Sequence, residues 1–395
     1  MSTPNDTEDL LRDALHAQAD RTTYEPTRAA DVASRARFAQ RRQNRGRLLV
    51  AAAAAAAIAL PVGAILADRP ATAPAPAEPP GKPVTLRLDS AAELPQGAPP
   101  AVDHAFGGTY VFADGDTVEL PVGGGPIRDA APYLDGVLVA SLPRRNGGYP
   151  LDLTLVDRNG ETRWTRCGLG PRVSGDGSTT GFAWMEGDCD ISWRGARLEW
   201  GPATDSGPVS GGPLAQDAQI SPVAVTEDRI VYNIGEYDPA VEGVRIAEGR
   251  SGPEVVPGVA WAATAAPEAG LVGGIDDTGT WGVYDESGDG VLRLRDRNER
   301  PVSFSPDARF VVTRHDAGGN PTLRIREIAT GRAVVTLQGL GLGGAFSWED
   351  PLHVLLACFD GDGRQSLVRL GVDGSLERAT PARESTQGDY LLPRS

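Results

Sequence analysis

From about residue 84 onward, apolar residues come in short runs broken by turn residues, and no stretch holds the three-and-four spacing of a long helix. The breaks are regular. Hairpin turns are marked at Asp114-Gly115, Asn159-Gly160, Ser206-Gly207, Glu248-Gly249, Asp289-Gly290, Thr330-Gly331 and Asp373-Gly374, with successive glycines 45, 47, 42, 41, 41 and 43 residues apart. Glycine supplies the positive φ that such turns demand, so the marker persists where the strand sequences drift.

A second series lies between these markers, each a turn leading into an apolar strand. Its members are Leu134-Asp135-Gly136 before Val137, Asp176-Gly177 before Gly181, Glu227-Asp228 before Ile230, Glu268-Ala269-Gly270 before Leu271, Asp307-Ala308 before Phe310, and Glu349-Asp350 before Val354. Two hairpins per period mean four strands per period, and a four-stranded sheet repeated about every 40 to 45 residues is the pattern of a β-propeller blade. The outer series has one hairpin more than the inner. The missing inner strands are therefore expected from the chain ends: Val84 to Leu88, or Tyr390-Leu391-Leu392, or both, which also removes an exposed sheet edge. The fold expected is all-β, a seven-bladed propeller with six blades as the alternative. A pair of β-sandwiches uses short strands too, but does not hold one period over such a length.

Two stretches carry a family resemblance. Phe304-Ser305-Pro306-Asp307-Ala308-Arg309-Phe310-Val311-Val312, followed by Leu323-Arg324-Ile325-Arg326-Glu327-Ile328-Ala329-Thr330-Gly331, resembles a blade of the WD-repeat and TolB-like propellers. Those blades read as a Ser-Pro-Asp-Gly turn, a strand, and a strand ending in Thr-Gly. The next repeat, around Trp348 to Gly374, is similar, while the earlier ones are degenerate. Ala308 stands where the family has glycine, and the Gly-His and Trp-Asp pairs of full WD repeats are absent.

Ahead of the repeats lies an uncharged block from Leu48 to Ala67, which as a helix would reach roughly 30 Å, one hydrocarbon core. Arg35, Arg37, Arg41, Arg42, Arg45 and Arg47 crowd its N-terminal flank, whereas Asp68 and Arg69 cancel beyond it. The positive-inside rule then keeps residues 1–47 in the cytoplasm and sends residues 68–395 outside. Small residues around Ala71, Ala73 and Ala75 leave a cleaved leader as the alternative, but residues 1–47 are long for a leader's charged region. Six prolines between Pro70 and Pro83 make residues 68–83 an extended spacer. The expected order is thus a cytoplasmic helical segment 1–47, a transmembrane helix 48–67, a linker 68–83 and an extracytoplasmic propeller 84–395. This layout resembles single-pass membrane proteins of actinobacterial type.

Charge supports the division. Residues 1–47 hold 7 acids and 9 arginines, net +2, and residues 68–395 hold 46 acids and 29 bases, net −17, which together return the −15 of the whole chain. So acidic an outer part is not a nucleic-acid binder by bulk charge. With 40% hydrophobic residues the chain is neither wholly disordered nor a multi-span membrane protein.

Candidate chemistry is sparse. Cys167 and Cys189 are candidates for a disulfide, since on this reading they lie outside the membrane, and Cys358 reads as a small buried hydrophobe. Asp285, Ser287 and Asp289 imitate the start of a calcium loop, with Asp296 at the place of a last ligand, and Asp360-x-Asp362-Gly363 is a shorter echo. Plain hairpin turns use the same residues and are the favoured reading. His16, His104, His315 and His353 have no zinc spacing. The pair His315-Asp316 is a catalytic candidate, with a solvated loop pair as the favoured reading. No nucleophile elbow, HExxH motif or phosphate-binding loop occurs. No catalytic residue, metal or cofactor is therefore assigned.

In the cytoplasmic segment, Thr7 caps a short helix with Leu10, Leu11, Ala14 and Leu15 on one face. This arrangement resembles membrane-bound regulators of extracytoplasmic-function sigma factors, though the His-x3-Cys-x2-Cys motif of one group is missing. The plainer alternative is a leader whose arginines set topology and touch anionic lipid. Taken together, the chain is expected to be a non-enzymatic binding or scaffold module that takes an extracytoplasmic protein or small ligand on its propeller face. The alternatives are a transmembrane regulator holding a sigma factor or similar partner, and a propeller enzyme acting on surface glycans or peptides.

Overall fold

The computed structural model describes residues 82–393, apart from 122–124, 143–150, 169–171, 174–178, 186–195, 203–219, 236–242, 249–252, 317–320, 340, 361 and 385–388. The chain divides into two units, Met1–Pro76 and Ala77–Ser395. The first unit, with the expected cytoplasmic segment and the span from Leu48 to Ala67, lies outside the described residues, as does most of the linker. Among the described residues no helix is long and apolar enough to cross a membrane.

The second unit is an all-β propeller whose strands pair antiparallel with their chain neighbours. Sheet 1 is His104–Phe106, Thr109–Val111 and Thr117–Glu119. Sheet 2 runs in order through Ile127–Tyr133, Gly136–Ser141, Leu151–Asp157, Thr162–Gly168, Thr179–Met185 and Ala196–Pro202, with Arg172–Val173 pairing the fifth of these. Sheet 3 holds Ile220–Val225, Arg229–Ile234, Val244–Glu248 and Glu254–Val255, and sheet 4 holds Val259–Ala266, Leu271–Asp276, Trp281–Asp285 and Gly290–Arg293. Sheet 5 is Glu299–Phe304, Phe310–His315, Thr322–Glu327 and Ala333–Gly339, with Val84–Leu88 added outside. Sheet 6 is Leu342–Asp350, His353–Phe359, Arg364–Gly371 and Leu376–Arg378, with Arg383–Glu384 also pairing its third strand.

These are six sheets, where the hairpin count favoured seven. The difference arises in sheet 2, where a four-stranded and a three-stranded group are joined through the single pair Trp184↔Gly168.

Each sheet buries both faces, and the strands read accordingly. In Phe310–His315, Phe310 and Val312 pack toward sheet 6 while Val311 packs back on Trp281, Val283 and Leu292 of sheet 4. In His353–Phe359, Val354, Leu356 and Cys358 face sheet 5, whereas Leu355 and Ala357 face Phe106, Tyr390 and Leu392. Alternation along a strand feeds two cores at once, which is why these segments are nearly continuous apolar runs. Each such side chain contributes about 1.5–3 kcal/mol by leaving water. The first strands of sheets 3 to 6 touch in succession, while Thr179–Met185 of sheet 2 touches the first strand of sheet 3. Register shifts between Ile127 and Asp129, Pro222 and Ala224, Val259 and Trp261, Pro301 and Ser303, and Leu342 and Phe346 mark bulges that add local twist to the first strands.

Both chain ends close the unit, by different routes. Leu391 pairs with Ala105 in a single antiparallel bridge on the free side of sheet 1, at the place of an inner strand. Val84–Leu88 does not supply an inner strand: it pairs in parallel with Ala333–Gly339 on the outer edge of sheet 5. Leu86 and Leu88 join the core between sheets 5 and 6, so the apolar residues of this strand are used at the rim, not at the axis. Beyond it Gln96 bridges Arg378 on the outer edge of sheet 6, and Arg369 donates to the Ala98 and Pro99 carbonyls while paired with Glu349 and Glu377. Residues 84–101 thus form a strap over two sheet edges.

Candidate functional site

Most acidic candidates are turn anchors. The Asp285 carboxylate accepts from the Ser287 N–H at 2.9 Å, the Ser287 hydroxyl and the Asp289 N–H at 3.0 Å, closing a hairpin in which Gly288 has φ 80°. Asp296 is not brought onto that loop. The same clip, in which one carboxylate oxygen takes the N–H groups two and four residues ahead, recurs at Asp157, Asp276 and Asp360. These hydrogen bonds favour the charged form: the Glu161 N–H, foremost, holds the Asp157 carboxyl below its ordinary range. Much of the acidic surplus is therefore committed to turns. Among the described residues no group of three or more His, Cys, Asp or Glu side chains is arranged to hold a metal ion.

The histidines are placed differently from the sequence pairing. His315 ends its strand, and its Nε2 meets Asp296 Oδ2 at 2.7 Å. Asp316 turns instead to Arg314 at 2.6 Å and Arg300 at 3.5 Å. His315 and Asp316 are thus committed to different partners and do not form a working pair. His353 Nδ1 meets Asp350 Oδ2 at 2.8 Å in a turn whose Leu352 and His353 N–H groups the same carboxylate accepts. His104 is buried beside Tyr390, with ring centroids 6.2 Å apart, and burial lowers its pKa. Cys167 is disulfide-bonded, Cys189 lies outside the described residues, and Cys358 is a free buried thiol whose burial pushes its pKa up to about 12.

Two cavities bring together residues that the motif reading passed over. The larger, about 560 Å³, opens between sheets 4 and 5 and is lined by Leu294, Arg295, Asp296, Glu299, Arg324 and Arg326, among others. At its base the Glu299 carboxylate, whose side chain is only 3% exposed, takes a two-pronged grip from Arg326, Nε to Oε1 at 2.8 Å and Nη2 to Oε2 at 3.0 Å. Thr313 donates its hydroxyl to Oε1, and Arg324 adds one bond from Nη1 to Oε2 at 2.8 Å. Burial would raise the Glu299 pKa, but the Arg326 and Thr313 hydrogen bonds and the two guanidinium charges outweigh it and hold it low. The geometry follows from register: Thr313 lies opposite Arg324, and Arg326 is two residues on, so all three meet on one face. The Arg324-Ile325-Arg326 alternation inside an apolar strand is the one signal from which this cleft was readable.

The smaller cavity, about 240 Å³, is bounded by the first strands of sheets 4, 5 and 6 through Ala263, Arg300, Pro301, Val302 and Phe346, with Arg314 from the neighbouring strand. Arg314 is held by Asp316 and by a bond from Nη1 to the Gly343 carbonyl at 3.2 Å. Arg300 is exposed. Two guanidiniums beside proline, valine and phenylalanine suit a ligand with one anionic and one apolar part.

No family model and no curated protein matches the chain. Among solved structures it is similar to TolB from Acinetobacter baumannii, at 15% identity and a TM-score of 0.38, over 68% of this chain and 56% of that one. It is similar to a putative TolB from Agrobacterium tumefaciens, at 14% identity and a TM-score of 0.36, over 58% of this chain and 91% of that one. It is also similar to a prolyl endopeptidase, at 11% identity and a TM-score of 0.48, over 74% of this chain and 48% of that one. The match thus spans about half the length of the Acinetobacter and endopeptidase chains. The propeller fold itself rests on the sheet order of the chain.

Proposed function

We propose that this chain is a membrane-anchored extracytoplasmic propeller that binds a ligand or protein without chemical turnover. The observation that carries it is the cavity on the first strands of three consecutive sheets, where Arg300 and Arg314 stand beside Pro301, Val302 and Phe346. The His315–Asp296 and His353–Asp350 pairs hold turns and strand ends, and among the described residues neither has a hydroxyl or thiol bonded to its free ring nitrogen. Anchoring rests on the uncharged block from Leu48 to Ala67 and its arginine flank. The ring is read as seven blade positions: sheet 2 counts as two, since a single pair joins its halves and seven apolar clusters alternate with the strand groups.

Surface cross-linking in intact cells, wild type against Arg300→Glu with Arg314→Glu, tests the reading. A product lost in the double variant is expected; an unchanged product excludes this cavity as the binding face. The apolar face of Leu10, Leu11, Ala14 and Leu15 favours a second reading, a regulator whose residues 1–47 hold a cytoplasmic partner. Retention of a sigma factor by full-length protein, lost in Leu11→Glu, is its expected result.

A further inference from the structure

Glu299 is over-supplied with positive charge. Arg326 alone gives it a two-pronged pair, and Thr313 adds a third bond. Arg324 contributes one of its five N–H donors to Glu299, which leaves four without a protein partner among the described residues. Its side chain is only 25% exposed, so these donors are neither spent in the fold nor freely hydrated. They line the cleft of about 560 Å³ between sheets 4 and 5. Arg295, exposed at the rim, has no ion-pair partner among the described residues. Around the cleft Arg293, Arg295, Arg324 and Arg326 stand against Asp296 and Glu299, four positive charges to two negative, in an outer part whose net charge is −17.

We infer that this cleft is a binding site for the oxyanion of a small ligand, a phosphate or a carboxylate, with Arg324 as the residue that grips it. A guanidinium presents parallel N–H donors that match two oxygens of such a group, and charge-assisted bonds of this kind are the stronger ones. Glu299 acts as the positioning residue: it fixes the guanidinium plane from one side and leaves the other side open. The Thr330 hydroxyl on the cleft wall bonds Glu327 and is not needed for the grip. The inference rests on the ring being a binding module, but it concerns a different cavity from the one lined by Arg300 and Arg314, so the two fail separately.

The test is calorimetric titration of the purified full-length chain with inorganic phosphate and, separately, with succinate, at low and high salt. Saturable binding of at least one is expected, weakened roughly tenfold or more by Arg324→Ala and by added salt. Phosphate alone names a phosphorylated ligand, and succinate alone a carboxylate. In Arg324→Ala the Glu299–Arg326 pair remains, so the fold is kept. Arg324→Lys, which retains charge but not the fork, is expected to fall between. Binding of neither anion, or equal binding by wild type and Arg324→Ala, overturns the cleft site and leaves the cross-linking test of the other cavity untouched.

Discussion

Ala105 and Leu391, from opposite ends of the described chain, exchange both backbone hydrogen bonds, each at 2.9 Å. The pair completes sheet 1 and delivers Tyr390 and Leu392, each 3% exposed, into a core shared with Phe106, Leu355 and Leu367 of sheets 1 and 6. Closure therefore depends on a few C-terminal residues. Tyr390→Ala is expected to cost about 3 kcal/mol or more, read from the urea midpoint at constant slope, because a buried ring and its bond to Thr380 are both lost. A cost below about 1 kcal/mol would mean that the end is not part of the core.

The same junction responds to pH. His104 has its pKa lowered below the ordinary 6.5, first by burial, with Arg383 adding to the effect and the Val102 carbonyl, Asp103 and Glu349 opposing it. Its folded pKa lies below the unfolded one, so as pH falls through 6.5 the unfolded chain takes the proton first. Stability present above 6.5 is therefore lost progressively below it. Denaturation midpoints measured between pH 7.5 and 5 are expected to fall more in wild type than in His104→Gln; equal slopes contradict this.

Much of the fold was legible because turns need particular backbone angles. Gly115, Gly160, Gly331 and Gly374 have φ of 92°, 84°, 69° and 89°, as the period required. At Asp289-Gly290 the marker was two residues late, since Gly288 takes the positive φ and Gly290 opens the strand. The pairing of Leu391 with Ala105 matches one of the options that the unequal hairpin counts left open, although it is a single bridge and not a strand. The outer, parallel place of Val84–Leu88 was not among those options, because a five-residue apolar strand carries no mark of its partner. The cleft was hidden for a related reason: Glu299, Thr313 and Arg326 meet through register, and motif spacing does not report cross-strand neighbours.

Ala308 has φ 53°, at the turn position where the propeller blades it resembles in sequence carry glycine. Left-handed backbone is strained for a residue with a Cβ. Ala308→Gly is expected to raise stability by about 0.5–1 kcal/mol, net of the entropy glycine adds to the unfolded chain. Gly339 is the converse case, with φ 148° and the Leu88 carbonyl oxygen 1.9 Å from where a Cβ would stand. Gly339→Ala is expected to destabilise by about 2 kcal/mol and to speed hydrogen exchange in Val84–Leu88. Unchanged exchange in that strand would contradict the strap.

Glu299 tests the ion cluster directly. Glu299→Ala leaves Arg324 and Arg326 facing each other with no carboxylate between them, and is expected to cost about 3–5 kcal/mol. The Glu299 pKa is held below the ordinary 4.5. Its contribution is thus complete above that value and lost as pH falls through the lowered folded pKa. The gap in urea midpoint between wild type and Glu299→Gln is expected to narrow below pH 4.5; a constant gap would show that the charge is not what stabilises.

The function proposed here requires the sheets to lie outside the cell and residues 1–47 inside. The direct measurement is protease treatment of intact cells that carry the full chain with a tag at each end. Loss of the C-terminal tag with the N-terminal tag protected is the expected result. A C-terminal tag that survives until the cells are lysed would contradict an extracytoplasmic propeller.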